Sequence, residues 1–377
     1  MHLSELLARR PVPASAVYLA LTRRCPLHCR HCSTMSGPTA EQQPAELFQR
    51  FVETFSPSDH PEFLLLTGGE PLLRPGLVRT LAETARAAGT RTYLLTGAFF
   101  ARGGTTPRPV RAALRAVDHV AVSIDAFHEA EVPRQQVFRV LHETLAAGRH
   151  ASVQACGTGP DDPFLTALTR QVRAEFHDRV PMLVSTLQPV GRARSWLAGP
   201  DGSQSGPAAR PEPPPRAAPC DLVSWPAIGF DGTIAACCNQ DVLDQSPPPE
   251  HLRLGHIGST TWPEVRSRST SSPALRALRT RGPLQLAHRF AGPVRDRPVP
   301  ADYCGTCRAL STPPGALERI EAEGSRATTM LFEQQAIALQ LGAGPVGFAR
   351  RHGDPSRAEL VLLGSPGQAE GAVPCAT

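Results

Sequence analysis

Short apolar runs alternate with segments of helical period over the first half of the chain. Runs at Val17–Thr22, Phe63–Leu66, Thr92–Leu95, Val120–Ile124, Ser152–Ala155 and Met182–Leu187 have the length and apolar character of strands covered on both faces. Between them the period changes. Glu41–Phe55 carries Leu47, Phe51 and Phe55 at four-residue steps, Leu77–Ala88 opens just after Pro75, and Pro133–Ala147 starts on a proline and sets Val137, Phe138, Leu141 and Leu145 along one face. This alternation predicts parallel strands joined by crossover helices. Six such units suit an open α/β barrel or a doubly wound sheet, and in both the ligands collect at the C-terminal ends of the strands.

Past Leu187 the pattern breaks. Gly199 to Pro219 is rich in Pro, Gly and Ser and holds nothing that can build a core, which predicts a linker. The expected divisions are 1–198 for the barrel, 199–219 for the linker, 220–312 for a small cysteine-rich accessory domain, 313–342 for a C-terminal helix and 343–377 for a poorly ordered tail. The helix rests on Met330, Leu331, Phe332, Ile337, Leu339 and Leu341 within Pro314–Leu341, and the tail on its Gly, Pro and Ala content.

Composition narrows the function classes. A length of 377 residues allows a large domain and a smaller one, and a net charge of +5 without an aromatic-interleaved basic patch gives no indication of nucleic acid. No run of eighteen or more apolar residues occurs, and Met1–Pro13 has no signal-type core, so a cytoplasmic protein without a membrane partner is expected. In a reducing compartment, clustered cysteines are metal ligands more often than disulfides.

The first cysteine group, Cys25-Pro26-Leu27-His28-Cys29-Arg30-His31-Cys32, follows the first predicted strand with the spacing C-x3-C-x2-C. Three thiolates are one short of a closed zinc or iron–sulfur site, which leaves a coordination position open to a ligand. The second predicted strand ends in Thr67-Gly68-Gly69-Glu70-Pro71, where backbone without Cβ admits close approach of a ligand. Taken singly, a zinc loop and an ordinary strand-to-helix turn are the alternatives.

Taken together and in this order, the cysteine spacing, His31 before the third cysteine and Gly68-Gly69-Glu70 resemble the signature of the radical S-adenosylmethionine (radical SAM) superfamily. The resemblance implies a partial (β/α)6 TIM-like barrel and a 4Fe-4S cluster on Cys25, Cys29 and Cys32. It further implies SAM chelating the fourth iron, its amino group held at Thr67, Gly68, Gly69 and Glu70, and a flavodoxin- or ferredoxin-type electron donor. Ser123 and Asp125 resemble the family position that contacts the SAM ribose; capping of the next helix is the alternative. Gln188-Pro189-Val190-Gly191-Arg192-Ala193 resembles a family turn in which Gly191 would approach the adenine and Arg192 a carboxylate. His128 offers an imidazole at the mouth or is a polar loop residue. Cys156, ending the fifth strand, is either a buried free thiol or a hydrogen-atom donor to a substrate radical.

Eleven residues separate Cys220 from Gly232, Cys237 and Cys238 follow, and Cys304-Gly305-Thr306-Cys307 lies farther on. This resembles the SPASM and Twitch accessory domains. It implies a hairpin turned at Asp231-Gly232 and one auxiliary 4Fe-4S cluster on Cys220, Cys237, Cys304 and Cys307. No further cysteine occurs before Cys375, so a second auxiliary cluster lacks ligands; Cys238 is an alternative to Cys237, and a four-cysteine zinc site competes with the cluster. The expected activity is reductive SAM cleavage and hydrogen abstraction from a substrate C–H bond, in crosslinking or epimerisation of a ribosomally made peptide. The alternative is oxidation, epimerisation or decarboxylation of a sugar, aminocyclitol or nucleoside. The short stretch before the first predicted strand leaves no room there for a leader-binding domain, and a non-catalytic metal-binding scaffold is the reading from another class.

Overall fold

A computed structural model describes residues 1–197, 218–291 and 302–366. All six predicted strands form: β1 (Ala16–Ala20), β2 (Phe63–Thr67), β3 (Arg91–Thr96), β4 (His119–Ser123), β5 (His150–Gly157) and β6 (Met182–Thr186). They pair in parallel, with Leu19 beside Leu66, Leu66 beside Leu94 and Leu94 beside Val120. A short α1 (Leu3–Ala8) precedes them, and α2 (Ala45–Val52), α3 (Pro75–Ala87), α4 (Arg108–Ala116), α5 (Ala126–Glu129), α6 (Arg134–Ala146) and α7 (Pro163–Phe176) lie between. Local chemistry starts them: α3 opens on Pro75, and the Asp162 carboxylate accepts the Phe164 and Leu165 amides at the head of α7.

Strand alternation divides the core. Val17, Leu19, Leu64, Leu66, Leu94, Val120 and Val153 pack with Phe48, Leu81, Leu141 and Leu168 of the crossover helices, while Ala16, Phe63, Leu65, Tyr93 and Ala121 face the other way. That second face is covered toward the strand N-termini by Leu3, Leu6 and Leu7 of α1 and by Ala349, Ala358 and Val361 from the end of the chain.

The accessory strands continue this sheet. β7 (Ala227–Ile228) lies parallel to β1, with Tyr18 beside Ala227 and Leu19 beside Ile228; β8 (Thr233–Ala235) and β9 (Arg253–His256) follow in antiparallel order. The order is β6-β5-β4-β3-β2-β1-β7-β8-β9, one open nine-stranded sheet. The hairpin turns at the expected place, with Gly232 at φ +88° and the Asp231 carboxylate accepting the Thr233 amide.

The helices that complete the described chain are α8 (Arg194–Leu197), α9 (Gln240–Leu243), α10 (Trp262–Ser271), α11 (Pro273–Leu286), α12 (Tyr303–Ala309), α13 (Ala316–Gly324) and α14 (Ala327–His352). The helix expected over 313–342 is two helices, and the poorly ordered tail expected from 343 is corrected as far as residue 366. Gly344, at φ +62° before Pro345, kinks α14, whose second part descends onto the sheet. Asp221 accepts Arg351 Nη1 at 2.8 Å and His352 Nε2 at 2.6 Å, and the Leu363 carbonyl meets His2 Nε2 at 2.9 Å. Residues 199–217 of the expected linker, and Cys375, lie outside the described residues. Among the described residues no helix is long and apolar enough to cross a membrane.

Candidate active site

A cavity of about 370 Å³ opens at the C-terminal ends of β1–β6. Cys25, Cys29, His31, Cys32, Thr67, Gly68, Gly69, Glu70, Ser123, Asp125, His128, Cys156 and Arg192 line it, so twelve loop and strand-end positions singled out in the sequence, and Arg192 from the turn after β6, share one space. Gln154 and Gln188 line it as well. Gln188 opens the turn already singled out in the sequence, whereas Gln154, a glutamine within a strand, fits no spacing and carries no signal.

Three separate motifs are packed on one another by backbone. Gly69 N donates to the Thr22 carbonyl at 2.6 Å and Glu70 N to the Arg24 carbonyl at 2.9 Å, which presses the glycine pair against the entry to the cysteine loop. A Cβ on Gly68 would stand 2.5 Å from the Thr22 oxygen, and one on Gly191, itself at φ +53°, 2.3 Å from the Cys32 oxygen. Arg192 N donates to that same Cys32 carbonyl at 3.0 Å. Glycine is required at both positions by contact, not only by conformation.

The electrostatics differ around the loop. Burial pushes the Cys25 thiol up to about 12; its Leu27 amide donor opposes the rise, and Glu70, Cys29 and Cys32 add to it. Cys32 is also buried, yet hydrogen bonds from Thr34 and Ser36 and the charge of Arg192 outweigh burial and bring its pKa below the ordinary value. Glu70 is fully enclosed. It accepts Leu72 N at 2.9 Å, Thr96 Oγ1 at 2.9 Å and Gly97 N at 3.0 Å, and burial, opposed by these donors, still pushes its carboxyl up to about 7.

Asp125 takes the helix-capping role, the alternative to ribose contact. It caps α5 by accepting the Phe127 and His128 amides at 3.0 and 2.9 Å, and its other oxygen meets His128 Nδ1 at 2.8 Å and His31 Nε2 at 3.3 Å. Burial opposes its ionisation, but the two imidazoles hold the carboxyl well below the usual range. Burial likewise lowers His128, and Asp125 and Cys29 outweigh that and push it up to about 10. The His31 ring stacks on Phe127 with centroids 4.6 Å apart, Phe127 lies 5.7 Å from Trp196, and Trp196 Nε1 donates to the Arg30 carbonyl at 3.1 Å. Cys156 faces the cavity with its thiol pushed up to about 12 by burial, by Asp125 and by Asp162.

The donor set fits the group that the motifs imply. The cysteine trio shares the lining with the hydroxyls of Thr67 and Ser123, the Glu70 carboxylate and the Arg192 guanidinium, and with apolar Leu27, Leu95 and Leu187, a mixture suited to a zwitterionic cosubstrate with an apolar portion.

A second group of thiols gathers beside β8. Cys220 precedes β7, Cys237 follows β8, and Cys304 and Cys307 sit on α12. Burial pushes Cys220 up to about 12, with Asp221 and Cys304 adding to it. Burial and then neighbouring thiols raise Cys237, through Cys238, Cys220 and Cys307, and Cys307, through Cys220 and Cys304. Thiols that oppose one another's ionisation converge on a common volume. Among the described residues, His31, Asp125 and His128 form the one set of three His, Cys, Asp or Glu groups whose ligand atoms lie mutually within 4.8 Å, so no three of these thiols are that close. Two neighbours escaped the sequence reading: Arg10, from the loop after α1, and His251, whose Nε2 is 3.8 Å from Cys307 Sγ and which burial lowers to about 4. An isolated Arg or His carries no spacing by which to find it.

Comparison with known proteins agrees with the geometry. The model of the family described as the radical SAM superfamily matches residues 19–160. Pre-heme d1 synthase of Dinoroseobacter shibae is 32% identical over 146 residues, which are 37% of this chain and 34% of that protein. GTP 3′,8-cyclase of Streptomyces coelicolor is 31% identical over 149 residues, 37% of this chain and 42% of that protein. The chain thus spans between about a third and two fifths of the length of these relatives. Among solved structures, Streptococcus suis SuiB bound to precursor peptide SuiA aligns with a TM-score of 0.49 at 11% identity, over 74% of this chain and 72% of that one. The matched segment runs from within β1 to just past β5 and contains the cysteine trio, Thr67–Glu70, Ser123, Asp125 and Cys156, so residues 19–160 carry a radical SAM domain.

Proposed function

We propose that this chain cleaves SAM reductively at the Cys25, Cys29 and Cys32 loop and abstracts hydrogen from a substrate C–H bond in the same cavity, with epimerisation of a residue in a ribosomally made peptide as the outcome. When bound, the 4Fe-4S cluster and SAM supply the one-electron chemistry and the hydrogen-abstracting radical. The observation that carries the outcome is Cys156, a half-buried thiol that lines the cavity on β5, four strands from the β1 that leads into the cysteine loop, and whose pKa burial raises to about 12.

The chain's own residues divide the work. Cys25, Cys29 and Cys32 hold the cluster; Thr67, Gly68, Gly69 and Glu70 offer backbone and carboxylate to the SAM amino group; Ser123 and Asp125 stand where the ribose would lie. Gly191 lies outside the cavity lining and seats its turn on the Cys32 carbonyl, His31 stacked on Phe127 gives the adenine a flat surface, and Arg192 pairs with a carboxylate. His128, locked by Asp125, orients His31 by the shared carboxylate. Cys156 Sγ–H returns a hydrogen atom to the substrate carbon. The thiol is then one electron and one proton short, made up by a flavodoxin- or ferredoxin-type donor, with an auxiliary cluster on Cys220, Cys237, Cys304 and Cys307.

Turnover in D2O tests this. The product carbon should carry one solvent deuterium, and Cys156→Ala should form 5′-deoxyadenosine but no deuterated product; deuterated product from that variant overturns the outcome. A small-molecule substrate of sugar, aminocyclitol or nucleoside type is the second reading, favoured by the likeness of residues in this segment to a GTP 3′,8-cyclase. Turnover of such a compound, with no modification of a co-expressed precursor peptide, would select it.

A further inference from the structure

Arg10 is buried, at 1% exposure, yet among the described residues it has no carboxylate partner. Its Nη2 donates to the Leu222 carbonyl at 3.3 Å and to Cys238 Sγ at 3.5 Å. Its Nη1 has no hydrogen-bond partner. The guanidinium lies 4.4 Å from the Trp225 ring centroid and 5.7 Å from that of Tyr18. The nearest carboxylate in charge terms, Asp221, is already taken up by Arg351 and His352.

A cation–π stack recovers only part of what it costs to bury an unpaired charge, and an orphaned N–H adds to that cost. The groups that face Arg10 are Tyr18, Cys238, Asp221 and Cys237. Two of these are thiols at the second cysteine group. They also differ from each other. Asn239 N donates to Cys237 Sγ at 3.4 Å, the same amide-to-sulfur turn, two residues on, by which Leu27 N donates to Cys25 Sγ at 3.5 Å. Cys238 makes no such turn and points to Arg10 instead.

We propose that Arg10 is the buried counter-cation of the auxiliary cluster: Cys237 is the ligand, Cys238 is held beside it by Arg10 as a non-ligating thiol, and the guanidinium favours the cluster's more negative, reduced state. This rests on the reading that the second cysteine group holds a 4Fe-4S cluster. The assignment gives Arg10 a negative neighbour of its own beside Asp221, which Arg351 and His352 already share, and it explains why a charged residue from the loop after α1 lies buried against Trp225, just before β7. A tetrathiolate 4Fe-4S cluster carries net negative charge in both oxidation states and one more unit when reduced, so a fixed cation nearby raises its potential.

The test uses the full chain carrying Cys25→Ala, Cys29→Ala and Cys32→Ala, reconstituted anaerobically with iron and sulfide and titrated with dithionite while the reduced cluster is followed by electron paramagnetic resonance. Arg10→Gln should make the cluster at least tenfold harder to reduce, about 59 mV lower for a one-electron couple. Arg10→Lys should keep most of the original potential, and Cys238→Ala should keep the iron. An Arg10→Gln protein with full iron content and an unmoved potential overturns the inference, as does loss of the iron in Cys238→Ala with retention in Cys237→Ala. Should Arg10→Gln not fold, the unsubstituted Arg10 protein labelled with ¹⁵N-arginine answers instead: the reduced cluster should couple magnetically to a guanidinium nitrogen, and absence of that coupling overturns the inference. If the triple-alanine protein binds no iron at all, the auxiliary-cluster reading itself fails, a result distinct from an unmoved potential.

Discussion

Gly191 holds its α-carbon against the Cys32 carbonyl at a positive φ, so a methyl group there meets backbone that has no room to yield. Gly191→Ala is expected to cost about 1–3 kcal/mol of local strain and to lower SAM cleavage at least tenfold, read as 5′-deoxyadenosine formed per chain. His119 makes a second, independent prediction at this scale. Its ring is fully buried between Ser152 Oγ at 2.7 Å and the Met1 carbonyl at 3.0 Å, stacked on Tyr93, and burial lowers its pKa from 6.5 to about 3. Between those values the unfolded chain binds a proton that the folded chain does not. Stability from this group is therefore complete above pH 6.5 and falls by about 1.4 kcal/mol for each pH unit below it, down to about pH 3. Denaturant melts from pH 7 to 4 should show this slope, and His119→Gln should flatten it. The residues that spacing could reveal, the two cysteine groups and the glycine turns, were legible in the sequence. His119, Glu70's partner Thr96 and Arg10 were not, because their importance comes from burial and long-range contact.

Among elements, the end of the chain differs most from its sequence. Glycine, proline and alanine read there as an absence of structure, since none of them builds a core by hydrophobic period. In place, Gly344-Pro345 makes a bend, and the small side chains of Ala349 and Ala358 let α14 and the following turn lie close on the sheet. Leu363, 6% exposed, ends this docking. Leu363→Ala is expected to destabilise the whole protein by about 2–3 kcal/mol in denaturant unfolding, whereas a loose tail would give no effect. The strands and crossover helices were legible to within a few residues, because there local period and tertiary burial agree. The joining of the accessory segment to the six-stranded sheet was not: two-residue β7 is too short to show a period, and its pairing with β1 is a long-range event.

At the scale of the molecule, two thiol groups occupy one open sheet, the first after β1 and the second around β7–β9. Substituting Cys304 and Cys307 with Ala is expected to lower bound iron from about eight to about four atoms per chain while SAM binding persists. Iron and sulfide analysis after anaerobic reconstitution checks this, and zinc in place of the lost iron would assign the second group to a structural metal. The parallel order and the site at the strand C-termini followed from the alternating pattern; the open edge-to-edge extension of the sheet depends on which backbones remain unpaired after six strands, which no pattern reports.

β1 is bonded on one side to β2 and on the other to β7, with Leu19 between Leu66 and Ile228. That makes it a shared beam: the separation of the two thiol groups is set by strand spacing, about 4.8 Å per strand, and not by the reach of any tether. Electron tunnelling between centres mounted in this way would have a fixed length. A bulky or charged residue at Leu19 would then shift both centres at once, where the same change in either flanking strand would reach only its own.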